Sequence, residues 1–214
     1  MTFSAELREL TSPTWDAAVG HRFVDELWRG QLDPAVLTTY LVQDHQFFDS
    51  FLALMGGAVA AADRLEPRVV HARRLGLVAG PENDFFARAL DALDVPLPER
   101  TDPALLAPTA GFVELMDTAR RSADYASCLA VLLVAEWLYL DWATRPDATA
   151  PDEPLQREWI ELHRGSAFET WVAFLRTEFD RVVVGLEPAD RERVRDLFVR
   201  TVDLELAFFE AAYA

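Results

Sequence analysis

Glu136 lies in SCLAVLLVAEWLYLDWA, residues 127–143, where Cys128 through Leu140 are otherwise all apolar. Burying a carboxylate is costly, because leaving water disfavours the charged form unless a partner compensates. The surrounding helix is apolar on nearly every side, so rotation cannot bring Glu136 cheaply to solvent. It is either half of a buried salt bridge or an acid in a working pocket. Tyr139 follows three residues on, and its hydroxyl also needs a partner in the interior.

Two further acids sit on apolar faces. Val194, Phe198, Thr201, Glu205, Phe208 and Ala212 follow the 4-3-4-3-4 spacing of one helix face, with Glu205 mid-stripe. Glu205 either points into the interior or snorkels from the stripe's edge to an arginine. Tyr40, Asp44, Phe47, Phe51 and Met55 share another face, with Phe48 alongside. Asp44 is therefore set among rings, where it either accepts hydrogen bonds from a flat ligand stacked on Phe47 or Phe51, or serves as a structural cap or ion-pair partner. Two carboxyls close together drive one pKa up, so one can donate a proton while the other accepts. Glu136 and Glu205 are the candidates for such a pair. Phe47, Phe51, Trp137 and Tyr139 are expected to line the pocket.

Other chemistries find little support. The four histidines are His21, His45, His71 and His163. They form no Glu-x-x-His, HExxH or closely spaced His/Cys cluster, so no metal site and no cofactor is expected. A lone axial histidine for haem, His21, has nothing else in its favour. Cys128 is the single cysteine. It lies about 10 Å along the helix axis from Ala135 at 1.5 Å per residue and reads as core filler. All 20 basic residues are arginine, so neither a lysine Schiff base nor a P-loop lysine exists. No GxSxG or GxGxxG turn occurs.

The elements that must position these residues are helical. Strand signals are nearly absent and helical periodicity is pervasive. Residues 4–18 form a first helix interrupted at Ser12-Pro13. Asp33-Pro34 supplies an N-cap and an N1 proline for a long helix running to about residue 63. Residues 67–79 and 81–93 are two helices separated by Gly80-Pro81. VPLPERTDP, residues 95–103, reads as a proline-rich loop, and TRPDATAPDEP, residues 144–154, as another. Helices at 123–145, 154–164 and 188–213 follow. The chain is expected to be one all-α domain over residues 1–214, a bundle of eight or nine helices.

Composition narrows the partners. The chain has 214 residues, 51% of them apolar, and a net charge of −16, which argues against nucleic acid and anionic membrane. The longest apolar run, 13 residues including Glu136, is too short to span a bilayer. The N-terminus lacks the pattern of a signal peptide, and the lone cysteine fits a reducing cytoplasm. Trp15, Trp28, Trp142 and Trp159 are candidates for contacts between helices or subunits.

GHRFVDELWRGQL (20–32) followed by YLVQDHQFF (40–48) resembles the start of TenA proteins, the thiaminase II family with a haem-oxygenase-like helical fold. PTAGFVELM (108–116), VAEWLYLDWA (134–143), FETWVAFL (168–175) and LELAFFEAAY (204–213) continue the match in order. By this resemblance Asp44 falls on the aspartate that holds an aminopyrimidine ring and Phe47 on an aromatic stacked against it. Glu205 falls on the catalytic acid of the last helix, and Tyr139 on a tyrosine near the reaction centre. Ala135 stands where the thiol branch has its catalytic cysteine, and Phe112 and Phe168 where that branch has tyrosines. The chain is similar instead to the TenA-E branch, which carries a glutamate where Glu136 lies. The resemblance implies hydrolysis of a C–N bond in an aminopyrimidine breakdown product of thiamin, with Glu136 and Glu205 catalytic. Asp44, Phe47, Phe48, Phe51, Phe112, Tyr139 and Phe168 would bind substrate, in a homodimer or homotetramer. The competing reading is a non-catalytic or regulatory protein that holds a small aromatic ligand on the same fold.

Overall fold

The computed structural model describes residues 1–146 and 148–214. Twelve α-helices and one π-helical segment are present among them, with no strand: α1 Phe3–Leu10, α2 Ser12–Val19, α3 Arg22–Arg29, α4 Pro34–Ala61, α5 Leu65–Leu77, π segment Val78–Glu82, α6 Asn83–Ala92, α7 Leu97–Thr101, α8 Ala107–Arg121, α9 Tyr125–Ala143, α10 Pro154–Leu162, α11 Ser166–Val183 and α12 Pro188–Ala211. The all-α expectation holds, with more helices than the eight or nine expected.

The differences have physical causes. The 4–18 run splits at Thr11, which caps the end of α1 and leads directly into Pro13 near the start of α2. The expected loop at 95–103 contains a short helix, α7, because Pro98 sits near its N-terminus, where a missing N–H costs nothing. Gly80-Pro81 does not separate two helices: α5, the π segment and α6 follow one another without a break. Pro81 lacks an N–H and crowds the preceding turn, and a widened π turn accommodates both problems. Asp147, inside the loop expected at 144–154, lies outside the described residues.

Local signals explain the entry to the site helix. Gly30 ends α3 in the left-handed conformation, φ 65°, and an added Cβ there would meet Pro151 at 2.9 Å. Asp33 then caps α4, its carboxylate accepting from the Ala35 N–H at 2.8 Å. Gly111 has a packing reason instead: a Cβ would sit 2.8 Å from Leu204 Cδ2, so the glycine lets α8 approach α12 closely.

The apolar helix α9 is the axis of the bundle, with 17 of its 19 side chains buried. It packs against α2, α4, α8, α11 and α12. Its length and composition would suit a membrane span, but 89% of its most apolar stretch is buried inside the protein. Trp15, Trp28, Trp142 and Trp159 are all interior residues, so they join helices within the chain and leave no subunit contact to explain. Cys128 is fully buried, with Sγ 3.6 Å from the Ala119 carbonyl, and burial pushes its thiol up to about 12. It is core filler, as its spacing suggested.

Candidate functional site

A hollow lies between α4, α6, α9 and α10, closed on one side by the π segment. Asp44, Phe47, Phe48 and Phe51 reach it from α4, Glu82 from the π segment and Phe86 from α6. Ala135, Glu136 and Tyr139 come from α9, Trp159 from α10, and His163 from just beyond it. Its free space is about 30 Å³, room for a water or two and not for a ring. Phe47 is the one lining aromatic that is not fully buried.

Six expected site residues line this hollow: Asp44, Phe47, Phe48, Phe51, Glu136 and Tyr139. Three others do not. Phe112 stands behind Phe47, edge-on at 4.9 Å, and Phe168 stands behind His163 at 5.7 Å. Glu205 is buried on α12, outside the wall, with Asp44 as its neighbouring charge. Trp137, expected in the lining, faces the other way: it packs edge-on against Trp15 at 5.2 Å with Arg176 over its ring at 4.1 Å. His21 is accounted for as the cap of α3, with Nδ1 accepting from the Phe23 N–H at 3.1 Å.

Glu136 is 5% exposed and paired with Arg74, Nη2 to Oε2 at 3.4 Å. The Arg74 guanidinium is itself held near the rings of Phe168 and Trp171, at 5.0 and 5.7 Å from their centres. Burial raises the pKa of Glu136, and the Arg74 charge and the Trp171 indole oppose that rise. The second carboxylate oxygen, Oε1, is buried without a hydrogen-bond partner. Such an atom in a native interior calls for an explanation, and a catalytic role is one.

Four acids form a row across this region, and Arg74 sits at one end. Burial pushes Glu82 up to about 8, with the Glu136 charge adding to the rise and Arg74 opposing it. Burial, then the Glu82 charge, raises Asp44 well above the carboxylate range, against a lowering contribution from the Tyr40 hydroxyl. Glu205 is likewise raised well above it by burial and then by Asp44. Four like charges cannot share a low-dielectric interior with one counter-ion. Arg74 offsets burial at Glu136 and so favours its ionised form there, while burial favours the protonated forms of the acids farther along the row.

The remaining polar groups extend this order. The Tyr139 and Tyr40 hydroxyls are 2.7 Å apart, and burial raises both phenols. His163 Nδ1 lies 2.8 Å from the Trp159 carbonyl oxygen. A carbonyl only accepts, so Nδ1 carries the ring proton. Burial lowers the His163 pKa to about 3, which leaves Nε2 as an unprotonated acceptor 3.9 Å from Glu82 Oε1.

Sequence reasoning missed Glu82, Arg74 and His163 as site residues. Glu82 was hidden by the π turn, read as a helix break. Arg74 is one of several arginines on α5 with no pattern to mark it. His163 stood outside any ligand spacing. Tyr40 was placed on the Asp44 face, and that placement is correct.

A family model described as TENA/THI-4/PQQC matches residues 9–214. The chain belongs to this family. An aminopyrimidine aminohydrolase from Halalkalibacterium halodurans is 22% identical over 215 residues, covering 100% of this chain and 96% of that protein. Another, from Bacillus subtilis strain 168, is 25% identical over 217 residues, covering 100% and 90%. Among solved TenA structures, a protein from Silicibacter sp. TM1040 described as a TenA family transcription regulator aligns with a TM-score of 0.85 at 20% identity, covering 97% of this chain and 95% of that one. A TenA homologue from P. horikoshii OT3 aligns with a TM-score of 0.79 at 20% identity, covering 100% and 99%. The fold is thus the helical TenA fold, and the hollow described above lies inside it.

Proposed function

We propose that this chain hydrolyses a C–N bond of an aminopyrimidine released from thiamin, 5-aminomethyl-2-methylpyrimidin-4-amine or its N-formyl derivative, and returns the pyrimidine for thiamin synthesis. The observation that carries the reading is Glu136. It is a buried carboxylate paired with Arg74, with one oxygen that no hydrogen bond takes, and it lines an aromatic hollow. Its place in the chain of a TenA protein and the names of its curated relatives support the same substrate class.

The chemistry follows from the wall. An aminopyrimidine edge presents one acceptor nitrogen beside one amino donor. A protonated Asp44 offers the matching donor and acceptor. Phe47 and Phe51, stacked with their centres 5.6 Å apart, supply a flat face for the ring. Admitting a ring into so small a hollow requires the aromatic wall to part, and Phe47 is the side chain placed to move. Glu136 takes a proton from water at its free oxygen. The water oxygen bonds to the methylene carbon as the C–N bond breaks, and a second, neutral carboxyl protonates the departing nitrogen. Ala135 occupies the wall where the thiol branch has its cysteine, so the attack is made by water with no covalent adduct. Glu205, behind Asp44, holds its own proton and keeps the ring-binding end of the row neutral.

The same proposal has the chain act as one domain, in the cytoplasm, as a homodimer or homotetramer. Exposed Leu65, Leu77, Leu97 and Val184 are apolar surface that assembly would cover, and light scattering tests that part. The function is tested by incubating the protein with the aminomethylpyrimidine and measuring ammonia. Turnover supports the hydrolase. Saturable binding with no ammonia released supports the ligand-holding alternative.

A further inference from the structure

We propose that Glu82 is the carboxyl that protonates the leaving nitrogen, working across the hollow from Glu136. This rests on the hydrolase reading above and goes beyond it. Glu205, the acid that the resemblance would supply, is not in the wall of the hollow, whereas Glu82 and Glu136 both are. The Glu82 side chain is 17% exposed, and the π turn that ends at Glu82 delivers it to the wall. A π turn inside a helix is uncommon and often marks a functional position.

The surroundings suit a proton donor. The groups facing Glu82 are Glu136 from α9, Arg74 from α5, Asp44 from α4 and His163 beyond α10. Arg74 is committed to Glu136. His163 has spent its one ring proton on the Trp159 carbonyl and faces Glu82 with a lone pair. The balance of the step is complete. Water gives one proton to Glu136, its oxygen bonds to the methylene carbon, and the C–N electron pair leaves with nitrogen. Nitrogen takes the Glu82 proton and departs as ammonia. Transfer of the proton from Glu136 to Glu82 restores both groups.

The experiment compares wild type, Glu82→Gln and Glu82→Asp for ammonia release across pH 6 to 10. In wild type, kcat is expected to fall as pH rises through about 8. Glu82→Gln is expected to lower kcat about 100-fold or more, to leave KM within a few-fold and to lose that limb of the profile. Glu82→Asp, with its carboxyl withdrawn by one methylene, is expected to keep the limb at reduced kcat, and it carries the test if the glutamine variant does not fold. A Glu82→Gln protein with wild-type kcat and profile overturns the assignment while leaving the hydrolase intact. A wild type that releases no ammonia overturns both.

Discussion

Arg74 Nη2 lies 3.4 Å from Glu136 Oε2, inside a protein where Glu136 is only 5% exposed. This ion pair ranks the neighbouring acids. It holds one end of the row, along which burial first and the neighbouring acid second push Glu82, Asp44 and Glu205 toward their neutral forms. Replacing Arg74 with glutamine should therefore raise the Glu136 pKa. A general base must be ionised to act, so the acidic limb of the pH–rate profile should move to higher pH. Breaking a buried pair on one side costs about 3–5 kcal/mol at most, so thermal unfolding should also come at lower temperature. An unchanged acidic limb would remove Arg74 from the account.

The Tyr40–Tyr139 pair makes a second prediction. Removing one hydroxyl leaves a buried partner with an unmet bond, costing about 1–3 kcal/mol. Tyr139→Phe and Tyr40→Phe should each destabilise, and the double variant should cost less than the two single costs added, because one bond is lost in either case. Denaturant midpoints of the three variants measure this. Strict additivity would mean that the 2.7 Å contact contributes no coupling.

The fold was legible where signals are local. Asp33-Pro34 and Gly30 gave the entry to α4, and the unbroken apolar run around Glu136 gave the central helix. The register of that helix was not legible. A helix that is apolar on every side has no face pointing to a particular neighbour, so Trp137 was placed in the hollow with Tyr139 when it packs on Trp15. Glu82 was lost because proline after glycine signals a break, and a π turn satisfies the same residues without one. The tyrosine-and-aspartate face of α4 was legible because its rings recur at helical spacing around Asp44.

His163 should behave as a neutral ring throughout the working range. Its pKa is lowered to about 3, below its unfolded value near 6.5. Its contribution to stability is therefore complete above the unfolded value and is lost as pH falls toward about 3. His71, lowered to about 4 by burial, acts in the same direction. The raised carboxyls of Glu82, Asp44 and Glu205 act in the opposite direction over the same range, so the histidine ring itself is the readout: the His163 ring resonances should not titrate between pH 8 and 5. A resonance shift centred near 6.5 would show a protonated ring and a different hydrogen-bond order around Glu82.

Cys128 should be chemically silent. Its thiol is buried on the α8 side of α9 and pushed up to about 12, so thiol reagents should not modify the folded protein. Cys128→Ser should keep full activity and lose about 1 kcal/mol of stability, as a hydroxyl replaces a weakly polar sulfur in the core. Loss of turnover in a folded Cys128→Ser protein would point to a thiol mechanism.

The most direct test of the thiol-free mechanism is the turnover number of Glu136→Gln for ammonia release from 5-aminomethyl-2-methylpyrimidin-4-amine. The substitution keeps the shape of the side chain and removes its capacity to accept a proton from water. The predicted result is a fall of about 100- to 10,000-fold with the aminopyrimidine still bound. A folded Glu136→Gln protein that turns over at the wild-type rate would contradict the role assigned to that carboxylate.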